Sequence, residues 1–318
     1  MSTESPHNVT LDSFPVASDG AGPYGIASGP DGALWLTLVH GGRIARLALD
    51  GTVREHPLDP PSCRPCVITP GPDGALWFTR SQDHAVGRIT VDGRTDTFPT
   101  PTPGSAPYGI TAGPDGALWF TEPGADRVGR ITVGGEVTEF ALPVSGAFPA
   151  AITAGPDGAL WFALNQADAI GRITVGGDVS VYALPTAGSA PVGITGDGVH
   201  VWYVGIGAGL VGRISMDGDV EEFPLPDPEA KPHAIVAAAP GECWFTEWGT
   251  GRVGRVTADG TIEEYDLPSP TAAPRGATLA PEPHGLTVGP DGAIWTALET
   301  GGVSRITLTG VRYVARRD

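Results

Sequence analysis

The chain has 318 residues, of which 41 % are hydrophobic and 17 % charged, with 47 glycines and 32 prolines. This composition is typical of a globular protein with many short strands and turns, and it excludes collagen and a long disordered tract. The net charge of −17 repels phosphate backbones and anionic membranes, so neither nucleic acid nor a membrane is an expected partner.

The chain up to Phe14 lacks the basic region and apolar run of a signal peptide, and no apolar stretch reaches the ~20 residues of a membrane helix. We therefore expect a soluble, cytoplasmic protein that is a monomer. Three cysteines are too few for a disulfide framework. Cys63 and Cys66 form a lone C-x-x-C motif, which we interpret as two unpaired thiols rather than a metal or redox site.

A unit of about 42 residues is repeated seven times along the chain. Its core tryptophan recurs at intervals of 42, 42, 42, 41, 42 and 51 residues, an opening proline recurs in step, and Trp248 falls outside the series. The tryptophans are Trp35, Trp77, Trp119, Trp161, Trp202, Trp244 and Trp295, and the prolines are Pro23, Pro65, Pro107, Pro149, Pro191, Pro232 and Pro283.

Each unit is predicted to form four short strands separated by turns. In unit three these are Y-G-I-T-A, A-L-W-F-T-E, V-G-R-I-T-V and V-T-E-F-A-L-P, with turns at G-P-D-G and V-G-G. The second strand is apolar on both faces, which indicates sheets stacked face to face. Because a closed ring leaves no sheet face exposed, we predict an all-β, seven-bladed β-propeller of four-stranded antiparallel blades, with residues 1–318 forming one domain.

The two ends of the repeat array predict how the ring closes. Unit seven contains three strands, the last of them Val303–Thr307, whereas the N-terminal segment Val9–Phe14 resembles the fourth strand of other units, such as Val137–Phe140. We predict that this N-terminal strand completes the last blade. The tail Gly310–Asp318 is an alternative for the same place.

Differences between the units indicate where function lies. In a propeller the first strand of each blade lines the central channel, so the residues that follow the opening prolines form a ring at one mouth. Units six and seven, which are neighbours, both have a histidine there. The ring is predicted to contain Tyr24, Cys66, Tyr108, Ala150, Val192, His233 and His284.

Unit seven also places two acids near this ring. Folding its first hairpin about the Pro290-Asp291 turn places Glu282 opposite Glu299 and His284 opposite Ala297. Opposed carboxylates repel each other across a sheet, and a divalent cation would turn that repulsion into attraction. Two carboxylates with water suit Mg²⁺, so Glu282 and Glu299 are predicted metal ligands.

His284 is the candidate general base. It lies two residues from Glu282 in a segment that Pro283 holds extended, so the two side chains are expected to share a face. A neutral imidazole beside a bound metal ion forms a general-base site with a Lewis acid next to it. The alternative is a solvated rim of histidines and acids without chemistry.

The remaining candidates are aromatic or acidic. Tyr24 and Tyr108 are either packing residues or aromatic walls for a ligand, and Trp248, at the position equivalent to Glu299, is predicted to contact a ligand as well. Glu122 and Glu247 share the third position after the core tryptophan, and we interpret them as features of the repeat without chemistry.

At these residues the chain resembles the virginiamycin B lyase family, which inactivates streptogramin B antibiotics. The resemblance covers essentially the whole chain through the repeat P-x-G-I-T, D-G-x-L-W-F-T-E, G-R-I-T and E-F/Y-x-L-P. Its specific part lies in units six and seven, at P-H-A-I (Pro232–Ile235), W-F-T-E-W-G (Trp244–Gly249), E-P-H-G (Glu282–Gly285) and W-x-A-L-E (Trp295–Glu299).

The resemblance implies that Glu282 and Glu299 hold Mg²⁺, that His284 is the proton acceptor and that His233 binds the substrate. It implies a carbon–oxygen lyase that acts on a small cyclic depsipeptide. His284 would take the threonine α-proton, and the ester C–O bond would break to leave a linear peptide with a dehydrated threonine. Activity is then expected to fall at acid pH, where His284 becomes protonated.

An insertion leaves the substrate open, and two alternatives to the lyase activity remain. The long interval before Trp295 reflects an insertion around Thr271–Ala280, directly before Glu282, in which Arg275 is a candidate substrate contact. The alternatives to a lyase are a metal-dependent, lactonase-like hydrolase and a non-catalytic binding scaffold.

Overall fold

The computed structural model describes residues 8–16, 20–268 and 281–309. Within these ranges, 28 strands form seven four-stranded antiparallel sheets, which are the seven blades of a β-propeller. The predicted fold is therefore confirmed. None of the described residues forms a helix long and apolar enough to cross a membrane.

The strand bounds follow the seven sequence units. After β1 (Asn8–Pro15), blade one contains β2 (Pro23–Ser28), β3 (Leu34–Leu38), β4 (Arg43–Leu47) and β5 (Val53–Pro57). Blade two contains β6 (Pro65–Pro70), β7 (Leu76–Arg80), β8 (Ala85–Ile89) and β9 (Thr95–Pro99), and blade three contains β10 (Ile110–Ala112), β11 (Leu118–Glu122), β12 (Arg127–Ile131) and β13 (Val137–Ala141).

Blades four to seven continue the same order. Blade four contains β14 (Pro149–Ala154), β15 (Leu160–Leu164), a 3-10 turn (Asn165–Ala167), β16 (Ala169–Ile173) and β17 (Val179–Ala183), and blade five contains β18 (Pro191–Gly196), β19 (Val201–Gly205), β20 (Leu210–Ile214) and β21 (Val220–Pro224). Blade six contains β22 (Pro232–Ala239), β23 (Glu242–Glu247), β24 (Arg252–Thr257) and β25 (Ile262–Asp266), and blade seven contains β26 (Pro283–Val288), β27 (Ile294–Leu298) and β28 (Gly302–Thr309).

The core tryptophan fixes the geometry of each blade. All seven tryptophans of the series are buried, and each indole N–H donates to a carboxylate within the five residues before it, as Trp119 does to Asp115 over 3.0 Å. An aromatic ring of the outer strand then stacks on the indole, as Phe140 does on Trp119. The seven carboxylates are Asp31, Asp73, Asp115, Asp157, Asp197, Glu242 and Asp291.

The N-terminal strand closes the ring, as predicted. β1 pairs antiparallel with β28 from Asn8–Thr309 to Pro15–Gly302, so it is the outer strand of blade seven. Phe14 of β1 packs against Trp295 with ring centroids 5.3 Å apart, in the place of the outer-strand aromatic of the other blades but tilted rather than stacked. The alternative, Gly310–Asp318, and the insertion at Thr271–Ala280 lie outside the described residues.

Adjacent blades are tied together near the channel mouth by buried threonines of the second strands. In blade three, Thr121 Oγ1 accepts a hydrogen bond from the Gly109 N–H (2.9 Å) and donates to the Ala150 carbonyl of blade four (2.6 Å). Equivalent bridges start from Thr37, Thr79 and Thr246. The backbone that carries the mouth residues is therefore held by the preceding blade.

Glu122 and Glu247 are buried in the sheets. Burial, together with the nearby Glu139, raises the pKa of Glu122 to about 7. Burial also raises the pKa of Glu247. These side chains lie at equivalent positions of blades three and six and do not line the channel mouth, in agreement with a structural role.

Ring closure through β1 can be tested by substituting residues on its two faces. Leu11 packs on the core between blades six and seven, whereas Thr10 is exposed. We expect Leu11→Ala to lower the free energy of unfolding by about 2 kcal/mol, and Thr10→Ala to change it by less than about 0.5 kcal/mol. Chemical denaturation measures both values, and equal effects would contradict the pairing.

Burial of Glu122 predicts a pH-dependent stability difference. An acid with a raised pKa in the folded state destabilises the fold above its unfolded value of 4.5, and the cost grows up to about pH 7. Glu122→Gln should therefore be more stable than the wild type at pH 8, by up to about 3 kcal/mol. The difference should vanish near pH 4.5, and a difference of the same size at both pH values would rule out the raised pKa.

Candidate functional site

A cleft of about 610 Å³ lies at one mouth of the channel, and we call it the mouth cleft. Blades one, two, three and seven supply most of its lining, including Tyr24, Tyr108, His284 and Glu299. Below it, the channel has a volume of about 180 Å³ and is lined by residues from the first strands of all seven blades. Tyr24 and Tyr108 line both spaces, so they separate the cleft from the channel.

The carboxylate of Glu299 lies between two histidines. Its Oε2 is 2.5 Å from Nε2 of His284, and its Oε1 is 2.6 Å from Nε2 of His40. The contact with His284, and then that with His40, lowers the pKa of the Glu299 carboxyl to about 2 despite its partial burial. Glu299 is therefore an anion under all ordinary conditions.

His40 is a site residue that the sequence analysis missed. It follows the second strand of blade one, five residues after Trp35, and its side chain is half exposed. Its contact with Glu299 crosses from blade one to blade seven, which are distant in sequence and adjacent only because the ring closes. The sequence could have indicated it through the predicted ring closure, which places the polar residues of blade one beside those of blade seven.

His284 lies at the centre of the site and is 7 % exposed. Its ring centroid is 4.5 Å from that of Tyr24, 4.7 Å from that of His233 and 6.2 Å from that of Trp248. Neither ring nitrogen has an aligned hydrogen-bond partner among the described residues. The imidazole is therefore held by ring packing and by its close polar contact with Glu299.

Thr246 positions the backbone of both neighbouring histidines. Its Oγ1 accepts a hydrogen bond from the N–H of Ala234, the residue after His233, over 2.9 Å. The same hydroxyl donates to the carbonyl of His284 over 3.0 Å. Blades six and seven are thus joined by one buried hydroxyl directly behind the two histidines.

Gly285 permits the close contact between blade seven and blade one. A Cβ at this position would lie 2.4 Å from the Tyr24 carbonyl oxygen and 3.0 Å from the Ile26 nitrogen. A larger residue would push the two blades apart. The glycine of E-P-H-G is therefore required for Tyr24 to reach His284.

His233 lines the channel and lies outside the residues that line the mouth cleft. Burial, and then the neighbouring His284, lowers the pKa of His233 to about 3, so its imidazole is neutral at physiological pH. Its Nε2 is 3.3 Å from the Tyr24 hydroxyl, which is 2.7 Å from the Tyr108 hydroxyl. Three members of the predicted ring, Tyr24, Tyr108 and His233, are thus linked to one another in this part of the channel.

Glu282 faces Glu299 across the hairpin of blade seven. The N–H of Glu299 donates to the Glu282 carbonyl over 3.0 Å. The Glu282 side chain is partly buried, and its carboxylate makes no ion pair or hydrogen bond with the described residues. No group of three or more His, Cys, Asp or Glu side chains arranged to hold a metal occurs in the described ranges.

The predicted pairing of His284 with Ala297 is wrong. Pro283 pairs with Leu298, but the register shifts by one residue before Leu286, which pairs with Thr296. His284 lies in the β-bulge between these pairs, and a bulge redirects a side chain in a way that strand alternation does not predict. Five other blades have the same shift after their opening proline.

Trp248 and Cys66 lie near the site. Trp248 is 37 % exposed, beside His284, with the ammonium of Lys231 5.4 Å from its ring centroid. Cys63 and Cys66 are both buried free thiols, and Cys66 lines the mouth cleft. Arg275 lies outside the described residues.

Known proteins match the chain over most of its length. A model of the virginiamycin B lyase family matches residues 9–306. The crystal structure of virginiamycin B lyase from Staphylococcus aureus has 41 % sequence identity and a TM-score of 0.88, covering 95 % of this chain and 100 % of that one. A catalytically inactive variant of the same enzyme, solved with quinupristin, has 40 % identity, a TM-score of 0.88 and the same coverage.

Alignments with curated relatives are shorter. The virginiamycin B lyase of Saccharopolyspora erythraea is 55 % identical over 51 residues, which are 16 % of this chain and 17 % of the relative. That of Mycolicibacterium vanbaalenii is 54 % identical over 41 residues, which are 13 % of this chain and 14 % of the relative. The aligned segments thus span less than a fifth of these curated relatives.

The bridge formed by Thr246 predicts a local effect on the histidines. Thr246→Val removes the hydroxyl and keeps the shape, and Val204 occupies the equivalent position of blade five. We expect it to cost about 1–2 kcal/mol of stability and to shift the NMR signals of the His233 and His284 rings. Thr121→Val, which breaks the same bridge between blades three and four, should cost a similar amount and leave those signals in place. Identical spectra for the two variants would contradict the positioning role.

Proposed function

The chain belongs to the virginiamycin B lyase family, and from this premise we propose that it linearises streptogramin B antibiotics by eliminating their threonine ester. The observation that carries the proposal is the contact between His284 and Glu299 at the mouth cleft. It combines a proton acceptor and a permanent anion in a cleft of about 610 Å³, a size within the range of small-molecule sites.

His284 is the proposed general base. It takes the α-proton of the ester-linked threonine, and the electrons of that C–H bond form the Cα–Cβ double bond as the Cβ–O bond breaks. The ester carboxylate leaves, so the product is a linear peptide with a free carboxylate and a dehydrated threonine. No water is added, and the mass of the antibiotic stays the same.

Glu282 and Glu299 are the proposed ligands of Mg²⁺. Both supply carboxylate oxygens, the donors this ion prefers, and Glu299 stays ionised because its pKa is about 2. Mg²⁺ commonly keeps several waters, so two protein carboxylates can be enough to hold it. When bound, the ion would polarise the ester and make the carboxylate a better leaving group.

Aromatic side chains supply the surface for a cyclic depsipeptide. Tyr24 and Tyr108 lie at the base of the mouth cleft, Phe148 lines it and is 43 % exposed, and Trp248 is partly exposed beside His284. Such residues provide apolar area at low entropic cost. The quinupristin bound to the inactive Staphylococcus aureus enzyme is a ligand of the class that we propose for this chain.

Incubation of the purified protein with a streptogramin B antibiotic tests the proposal. We expect a linear product of unchanged mass with Mg²⁺, no product after EDTA treatment, and recovery when Mg²⁺ is added back. A product one water heavier would instead show a hydrolase. Absence of any product with Mg²⁺ present would contradict the lyase proposal and favour a binding scaffold.

The role of His284 is tested by substitution. We expect His284→Ala to lower kcat by about 10²- to 10⁴-fold, the usual contribution of a general base. His200→Ala, at a hairpin of blade five away from the mouth cleft, is the control and should keep full activity. Retention of wild-type kcat in His284→Ala, with a thermal unfolding curve like that of the control, would exclude His284 as the base.

A further inference from the structure

The hydroxyl of Tyr24 lies between two polar groups of the protein. It is 2.7 Å from the hydroxyl of Tyr108 and 3.3 Å from Nε2 of His233. A phenol has one proton to donate and oxygen lone pairs to accept with, so these two contacts engage it in both directions. Burial, and then Tyr108, raises the pKa of Tyr24 well above its usual value, so this hydroxyl keeps its proton.

We propose that Tyr24 is a positioning residue that fixes the tautomer of His233. In this arrangement Tyr108 donates to the Tyr24 oxygen, and Tyr24 donates to Nε2 of His233. The single imidazole proton then resides on Nδ1. Each hydrogen bond of the cluster then has a defined direction.

Counting hydrogen-bond partners favours this direction. Since His233 is neutral, one of its ring nitrogens carries a proton and the other accepts. In the proposed order the protons of Tyr24 and Tyr108 are both used. In the reverse order, in which His233 donates to Tyr24 and Tyr24 to Tyr108, the Tyr108 proton has no acceptor among the described residues. The first order thus pairs one more polar group within the protein than the reverse order does, and this favours it.

The consequence is a hydrogen-bond donor at Nδ1 of His233. This nitrogen is buried and has no hydrogen-bond partner among the described residues. A protonated Nδ1 pairs with an acceptor such as a carbonyl or ester oxygen, whereas an unprotonated one would require a donor.

The ring of Tyr24 also couples this cluster to the proposed base. Its centroid is 4.5 Å from that of His284 with the planes 31° apart, and 5.8 Å from that of His233 with the planes 80° apart. Replacing Tyr24 by phenylalanine keeps both ring contacts and removes the hydroxyl. This variant therefore separates the effect on the tautomer from the packing of the two histidines.

The test is NMR of the ring nitrogens of His233 in protein labelled with ¹⁵N-histidine, without substrate. The wild type should show a protonated Nδ1 and an unprotonated Nε2. Tyr24→Phe should give a mixture of the two tautomers, or a protonated Nε2. Tyr108→Phe is the matched control: Tyr24 can still donate to Nε2, so Nδ1 should stay protonated. A protonated Nε2 in the wild type, or an unchanged tautomer in Tyr24→Phe, would overturn the proposal.

Turnover gives a second readout that depends on the proposed function. Tyr24 lines the mouth cleft and packs against His284, so loss of its hydroxyl, worth about one neutral hydrogen bond, should lower kcat/KM of Tyr24→Phe by about 5- to 10-fold, and Tyr108→Phe should change it less. Wild-type kcat/KM in Tyr24→Phe would contradict a role of this hydroxyl in turnover. Because the NMR measurement needs no substrate, a chain that proves inactive on streptogramin B overturns the proposed function and leaves the tautomer result standing.

Discussion

Pairing of β1 with β28 is the interaction on which the rest of the site depends. It completes blade seven and places blade one directly beside it. Tyr24 and His40 of blade one then meet His284 and Glu299 of blade seven, although more than 250 residues separate them in the chain. Gly285 lets the two blades approach closely enough for these contacts. The closing blade is thus also the blade that carries the proposed chemistry.

The repeated unit fixes the geometry of the blades, and the residues in which blades six and seven depart from it belong to the proposed site. Every core tryptophan donates to a carboxylate just before it in the chain, and buried threonines fix the backbone beside the mouth in several blades. On this common frame, blades six and seven carry histidines where blades one and three have tyrosines and the remaining blades have small or apolar residues. The surroundings set different charge states for two groups of the site. Burial keeps His233 of blade six neutral, whereas contacts with two histidines keep Glu299 of blade seven ionised.

The sequence predicted the fold, the ring closure and the neighbourhood of the site, because repeats of constant length report architecture directly. It did not predict the β-bulge at His284, since alternation along a strand has no signature for one extra residue. It also missed His40, whose contact with Glu299 exists only after closure. Nor could it show that His233 lies outside the mouth cleft or that its Nε2 contacts Tyr24, because residue spacing does not fix side-chain direction.

A crystal structure of the His284→Ala variant with Mg²⁺ and a streptogramin B antibiotic is the most direct test of the central claim, that blades one, six and seven together form one catalytic site. We expect the intact depsipeptide to lie in the mouth cleft, in contact with Tyr24, and the metal ion to be bound by Glu282 and Glu299. An antibiotic bound away from this cleft, or a metal ion bound by neither glutamate, would contradict it.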